Sequence, residues 1–153
     1  MLSIELIPRS SWGRNLRITL GKGRWKRLSQ EVRDAAGGRC EICGSMTRVQ
    51  CDEQWSFDDV RHVQRLVRLR CVCQMCHHVV NFERTKAVAR AQPDRYPTLV
   101  ADVISHFMLV NGVDRAVFDK HRDEAIATWS SRSAGSDWTI DFGDYTRLTQ
   151  SST

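Results

Sequence analysis

The hydrophobic and polar positions along the chain change their spacing several times, and each change predicts a different element. Apolar residues recur at helical spacing at Trp25, Leu28 and Val32, which predicts a helix that ends at the following glycines. Residues 49–57 and 63–71 alternate instead between apolar and polar side chains. This period of two predicts two strands, which we expect to pair as an antiparallel hairpin with a long, acidic-then-basic loop.

The helical period returns after the second strand. It predicts helices over residues 77–91, 97–110 and 114–130, with a proline suited to the first turn of the second of these. Residues 138–142 alternate again and predict a short final strand. The chain therefore mixes a small amount of sheet with several helices.

A chain of 153 residues corresponds to about one domain. Residues 2–20 have no strong period, and residues 1–24 are expected to form a basic, extended or looped arm. We expect residues 25–92 to form the folded core, residues 93–145 a helical extension packed on it, and residues 146–153 a polar tail. No apolar run is long enough to span a bilayer, and the start lacks the pattern of a signal peptide, so we expect a cytoplasmic protein without a membrane partner.

Two C-x-x-C pairs carry the strongest chemical signal. Cys40 and Cys43 form the first pair, and Cys73 and Cys76 form the second. Two thiolate pairs about thirty residues apart are typical of a closed tetrahedral zinc site in which each pair lies on its own tight turn. Four buried thiols or two disulfides are the alternatives. We favour structural Zn²⁺, because the spacing is specific at both ends.

The other cysteines and two of the histidines predict structural roles. Cys51 and Cys71 fall within the predicted strands, where we expect small buried residues rather than further ligands. His106 and His121 lie in predicted helices without a partner typical of a metal site, so we expect them to be structural or solvated. Six cysteines without a sign of export favour a reducing compartment and a metal over disulfides.

The net charge of +5 is unevenly distributed. Residues 1–39 contain nine Lys/Arg and three Asp/Glu, whereas residues 102–153 contain five and eight. This asymmetry favours a polyanion near the first cysteine pair, most simply nucleic acid, although a solvated basic face is the alternative. Trp25 lies within the most basic stretch and either stacks on a base or packs in the core, and its helical spacing favours the core.

The order of the elements adds a resemblance to a known family. A C-x-x-C pair, a strand, a loop, a strand, a second C-x-x-C pair and a helix follow one another, and the whole resembles the zinc-clamped ββα-metal fold of HNH nucleases. The similarity is to small bacterial and phage HNH proteins in particular. It is carried by RCEICG, LRCVCQMCH and the stretches IPRSSWGRNLR, DEQWSFDD, VQRLVRL, LVNG and RS…WTID. The resemblance implies an α+β fold, in which residues 25–92 form the HNH-like core and the later helices are additions.

The resemblance also implies a reaction, namely phosphodiester hydrolysis assisted by one divalent metal such as Mg²⁺ or Mn²⁺. Where the family has His followed by Glu in the first strand, this chain has Asp52 and Glu53. His77 matches the first helix ligand, and Asn81 replaces a histidine one turn later. The implied catalytic residues are thus Asp52, Glu53 and His77, with Asp52, His77 and Asn81 as ligands of the catalytic metal. His62 in the loop is an alternative base.

Three functional interpretations follow. The first is an active nuclease with a rearranged site. The second is a catalytically impaired HNH-fold protein that binds nucleic acid, DNA rather than RNA, or acts as a phage-type partner or inhibitor of a complex that processes it. The third is a zinc-stabilised interaction domain without a nucleic-acid partner. The residues expected to contact nucleic acid are basic: Arg61, Arg65, Arg68 and Arg70 in the hairpin, with Lys22, Arg24 and Lys26 before it.

Overall fold

The computed structural model describes residues 1–135 and 137–150 and has an α+β fold. The sheet has three strands: β1 (Val49–Asp58), β2 (Val63–Cys73) and β3 (Thr139–Asp141). The helices are α1 (Leu16–Ala35), α2 (Gln74–Val80), α3 (Phe82–Ala91), α4 (Leu99–Asn111), α5 (Arg115–Ala134) and α6 (Thr146–Thr149). Single 3₁₀ turns lie at Arg9–Ser11 and Gly143–Tyr145.

The antiparallel hairpin predicted from the alternating residues is confirmed. β1 pairs with β2 along its whole length, and the register places Cys51 opposite Cys71 and Asp52 opposite Arg70. The loop covers only residues 59–62, so it is shorter than expected, and His62 closes it with a positive φ of 52°. β3 adds to the other edge of β2 in the parallel direction. The predicted final strand is therefore present, and β2 is the central strand.

Two apolar clusters hold the helices on this sheet. The larger one surrounds α2 to α5 and includes an edge-to-face aromatic set in which Phe118 contacts both Phe82 and Phe107. The smaller one lies between α1 and the hairpin and is built on the leucines Leu16, Leu20, Leu66 and Leu69. Trp25 is half-buried against this second cluster, as its helical spacing predicted. Within the described residues, we find no helix with the length and apolar character needed to cross a membrane.

The expectation of an extended or looped arm over residues 1–24 is wrong in two respects, since the start of the chain is packed in the core and a helix begins at residue 16. Leu2 and Ile4 are buried in the larger cluster. Leu2 N–H donates to Asn111 Oδ1, and Asn111 Nδ2 donates back to the Leu2 carbonyl, both at 2.9 Å. α1 begins at Leu16 and passes through the predicted boundary at residue 24. Gly21 interrupts its helical geometry with φ 74° and ψ 170°, so the glycines that obscured the helical period produce a kink rather than a loop.

The helix predicted over residues 77–91 is two helices. It begins earlier, at Gln74, and Asn81 breaks it with φ −100° and ψ 43°. The Asn81 side chain donates from Nδ2 to the His77 carbonyl at 3.1 Å, alongside the backbone N–H of Asn81, which donates to the same carbonyl at 3.0 Å. The next helix begins at Leu99 instead of Pro97 and ends at Gly112, whose φ is 63°.

Candidate metal centre and adjoining polar site

The four cysteines of the two C-x-x-C pairs meet in one cluster. Cys40 and Cys43 lie in the loop after α1, whereas Cys73 ends β2 and Cys76 lies in the first turn of α2. Their sulfur atoms all lie within 4.8 Å of one another, and the Sγ atoms of Cys43 and Cys73 are 3.6 Å apart. The edge of a zinc–sulfur tetrahedron is about 3.8 Å when each Zn–S bond is about 2.3 Å. The cluster could therefore hold a metal such as zinc.

All six cysteines are free thiols, so the disulfide alternative is excluded for this structure. Burial raises the pKa of Cys40, but backbone N–H groups of Cys43, Cys73 and Ile42 more than offset this, and the pKa falls to about 7. Burial and the negative charges of Cys40 and Cys73 raise the pKa of Cys76. Four thiolates cannot all be ionised here without a cation among them, which fits a metal dication.

His106 contacts this cluster, which the sequence did not predict. Its Nε2 lies 3.2 Å from the Sγ of Cys76, and α4 carries it there from a part of the chain with no metal-like spacing. A ring N–H directed at a ligating sulfur would disperse its negative charge. His121 instead accepts a hydrogen bond from Ile4 N–H at 3.0 Å, which is the structural role expected of it.

Asp52 lies in a buried ion network. Arg70, which faces it across the hairpin, donates to Asp52 Oδ2 from Nε at 2.9 Å and reaches the same oxygen from Nη2 at 2.8 Å. The same Nη2 donates to Glu5 Oε2 at 3.1 Å. Side-chain exposure is 6% for Arg70 and 8% for Asp52. Arg70 is thus a buried counter-ion and not part of the exposed basic surface, which corrects the expectation that it contacts nucleic acid.

His77, another predicted catalytic residue, lies next to Asp52. Its Nε2 lies 3.7 Å from Asp52 Oδ1, which is near but too long for a hydrogen bond. Burial lowers the pKa of His77 to about 4, and the positive charges of His78 and Arg84 add to the effect, so the ring is neutral at pH 7. The amide nitrogen of Asn81 donates to the backbone carbonyl of His77, so only its amide oxygen is left as a possible metal ligand.

Glu53 has a different role from the one that the resemblance implied. Its Oε2 accepts from Leu16 N–H and its Oε1 from Arg17 N–H, both at 3.0 Å. These are the first two free N–H groups of α1, and Asn15 caps a third, that of Ile18. Burial raises the pKa of Glu53, and the two N–H groups oppose that rise. Both carboxylate oxygens therefore hold the start of α1 against β1.

His62 is too far from Asp52 to act as the alternative base. It lies at the tip of the hairpin, with its ring 5.4 Å from that of Trp138. Six strand residues along β1 separate the tip from Asp52, which corresponds to about 20 Å. Among residues 1–135 and 137–150, the four cysteines are the only group of three or more His, Cys, Asp or Glu side chains that comes together in this way.

The predicted surface arginines of the hairpin are already paired with carboxylates. Arg61 lies 3.9 Å from Asp58, Arg65 lies 2.9 Å from Asp141, and Arg68 lies 2.7 Å from Glu41. These arginines are exposed, but each has a local counter-ion. Their charge is therefore less available to a polyanion than the sequence indicated.

A continuous basic segment without acidic residues precedes the hairpin. Residues 7–30 contain seven Lys/Arg and no Asp/Glu. The seven are Arg9, Arg14, Arg17, Lys22, Arg24, Lys26 and Arg27. All seven are exposed, and none forms an ion pair with a residue that the structure describes. Arg24 is held by the carbonyls of Leu20 and Leu148, whereas Lys22 and Lys26 lie one turn apart on α1.

The whole chain was compared with known proteins. No protein-family model, no curated protein and no solved structure matches it.

Proposed function

We propose that the chain is a nucleic-acid-binding protein with an HNH-like, zinc-clamped scaffold whose hydrolytic site has been lost. The observation that carries the proposal is the basic segment of residues 7–30, with seven exposed cations and no carboxylate. Phosphates of a bound strand would replace the solvent ions around these side chains, and release of those ions favours binding. DNA is the expected nucleic acid.

The cysteine cluster supports the scaffold part of the proposal. It joins the loop after α1 to the start of α2, so one metal would fix the basic helix relative to the hairpin. Zinc is the expected ion because a closed set of four thiolates suits it and leaves no open position for chemistry. Two strands lie between the cysteine pairs and a helix begins at the second pair, which is the order that the resemblance to HNH proteins implies.

The ion network around Asp52 supports loss of hydrolysis. Both Arg70 nitrogens that reach Asp52 converge on Oδ2, so a guanidinium group takes up one of the two carboxylate oxygens, and its positive charge disfavours a metal cation at the other. Burial raises the pKa of Asp52 and Arg70 opposes that rise, and the two contacts from Arg70 take up Oδ2, one of the two oxygens that could accept a proton from water. Glu53 cannot replace it while it holds the start of α1.

Metal-dependent hydrolysis is the second candidate, favoured by one observation. Asp52 Oδ1 is free of Arg70 and faces the neutral His77 ring at 3.7 Å, so an oxygen and a nitrogen ligand lie side by side. A divalent ion bound there could activate water next to a phosphate. Asn81 would have to turn its amide oxygen to the ion to complete the set proposed from the resemblance.

The binding proposal is tested by charge-neutralising variants. Lys22→Gln with Lys26→Gln removes two exposed, unpaired cations from α1, and we expect weaker binding to a DNA duplex and a salt-dependence slope lower by about two. The matched control is Lys86→Gln with Lys120→Gln, which has the same net charge but removes lysines paired with Glu83 and Glu124. Equal losses in the two double variants, or no binding of either duplex or single-stranded DNA by the folded parent, would contradict the proposal.

The hydrolysis candidate is tested by plasmid nicking with Mg²⁺, Mn²⁺ and Ni²⁺ in parallel. We expect no nicking by the parent protein. Nicking that requires the metal and disappears in His77→Ala would establish the second candidate instead. The variant Asp52→His adds the missing base, and its activity would show whether the rest of an HNH site is still assembled.

A further inference from the structure

A large aromatic side chain is exposed next to the basic segment. Trp12 is 61% exposed, although it is one of the largest apolar side chains in the chain. It stacks on Trp129 of α5, with ring centroids 6.4 Å apart and an interplanar angle of 15°. We call these two residues the indole pair. Stacking covers one face of Trp12, and its exposure shows that much of the rest of the ring is open.

The indole pair is held rigidly. The Nε1–H groups of Trp12 and Trp129 both donate to the carbonyl of Ile7, each at 2.9 Å. Arg9 adds a third contact, because its guanidinium carbon lies 4.6 Å from the centre of the Trp129 ring. The backbone N–H of Arg9 donates to Ser133 Oγ at 3.2 Å. The N-terminal segment is therefore hydrogen-bonded to α5 at two points, Ile7 and Arg9. Little conformational freedom remains for a ligand to remove.

The residues close to Trp12 in the sequence carry the charge that a nucleic acid requires. Arg9 and Arg14 flank it in sequence, Arg17 follows one turn later, and no acidic residue lies between residues 6 and 31. An aromatic face beside unpaired cations matches a nucleobase linked to phosphates. A protein partner would need acidic side chains opposite these arginines, and an apolar contact larger than one indole face.

We propose that Trp12 stacks on an unpaired base of a single strand whose phosphates bind the basic segment. The inference rests on the proposed function and narrows it to single-stranded nucleic acid. In a duplex both faces of each base are covered by neighbouring bases, so a rigid surface indole has access to them only at ends and in gaps. In a single strand each base has a face available for stacking, and this recognition tolerates any sequence.

The test compares two ligands with equal phosphate charge. One is an oligothymidylate of about 12 nucleotides, and the other is an abasic oligonucleotide of the same length. The wild-type protein should bind the first more tightly. Trp12→Ala should weaken oligothymidylate binding by roughly tenfold and leave abasic binding and the salt-dependence slope unchanged. Ile18→Ala is the matched control, because Ile18 is also exposed, at 60%, and lies in the same basic segment without an aromatic ring.

Folding is controlled separately, since Trp12 also contacts Trp129 and Ile7. Trp12→Leu keeps apolar volume and lacks the aromatic face, and it should lose the preference for bases while the melting temperature shows that the protein is folded. If wild type binds both ligands equally, or if Trp12→Leu retains the preference for oligothymidylate, the inference is overturned while the proposed function stands. If wild type binds neither these ligands nor duplex, the proposed function itself fails.

Discussion

At the scale of single residues, the most consequential group is the buried arginine of the hairpin. Arg70 balances two carboxylates, Glu5 and Asp52, which lie 65 and 18 positions before it in the sequence. Burial raises the pKa of both carboxyl groups, and Arg70 is the largest opposing influence. None of this could be predicted from the sequence, because Glu5 and Arg70 are 65 positions apart and no local pattern connects them.

Replacing Arg70 by methionine should destabilise the protein strongly. We expect a loss of about 3–5 kcal/mol in the free energy of unfolding at neutral pH, because two carboxylates are left buried without a cation. Their folded-state pKa values then rise further above the unfolded values, so stability is lost as the pH rises through that range and regained as it falls. Chemical denaturation at about pH 7 and about pH 5 should therefore show a smaller deficit at the lower pH.

Arg65→Met is the control for this prediction. Arg65 also pairs with an aspartate, but its side chain is 57% exposed, so removal should change stability by less than about 1 kcal/mol. A similar effect of both substitutions, or a deficit of Arg70→Met that grows in acid, would contradict the role assigned to the buried network.

His106 provides a second prediction at this scale, concerning metal retention. His106→Phe keeps a ring in place but removes the nitrogen that lies 3.2 Å from Cys76 Sγ. We expect zinc affinity, measured by competition with a chelator, to fall about tenfold. His121→Phe is the comparison, because His121 binds the backbone of Ile4 rather than a cysteine. Equal zinc affinity in wild type and His106→Phe would show that the contact does not support the metal.

At the scale of elements, α1 depends on a side chain from the hairpin. Glu53→Ala leaves the N–H groups of Leu16 and Arg17 without their acceptor, and we expect the free energy of unfolding to fall by about 1–3 kcal/mol. Thermal or urea unfolding measures the change. Glu31→Ala is the matched control, because Glu31 is exposed on the same helix, and its removal should have little effect. A loss no greater than that of the control would remove Glu53 from the account of α1.

The elements also show which parts of a fold can be predicted from sequence. The cysteine cluster and the hairpin were predictable because each depends on spacing within a short stretch. The predicted helix breaks at Asn81 rather than at a glycine or a proline, so the sequence contains no strong local signal for the break. α1 was missed before Trp25 because Gly21 lies inside it, although Asn15, which caps Ile18 N–H, was an available signal for its start.

The sequence predicts two of the residues that meet at the candidate site but not the contacts that each of its side chains makes. Asp52 and His77 do lie together, yet the ion pair of Asp52 with Arg70 and the contact of Glu53 with α1 change what each carboxylate can do. Both changes arise from residues distant in sequence. A resemblance can assign positions to a site, but the partners of each side chain decide its chemistry.

At the scale of the whole molecule, the cysteine cluster should control folding. Removing metal with a chelator should lower the melting temperature by roughly 10 °C or more, because the four neighbouring thiols lose the ion that they bind together. Cys40→Ser should reproduce the loss, whereas Cys51→Ser, which changes a cysteine outside the cluster, should not. Metal content measured by elemental analysis identifies the ion. An unchanged melting temperature after complete metal removal would contradict a structural metal.

The parallel pairing of β3 with β2 has a consequence for synthesis on the ribosome. β2 is complete at Cys73, but the strand that pairs with residues 63–65 along its second edge begins only at Thr139. Throughout the translation of the intervening helices, the nascent chain presents an open strand edge that can pair with another chain. The exposed charges Arg65 and Arg68 point from that strand into solvent and would disfavour such pairing. In the folded protein the same two arginines remain on the surface, where each forms an ion pair with a carboxylate. Their presence there would then reflect the protection of the strand edge during synthesis.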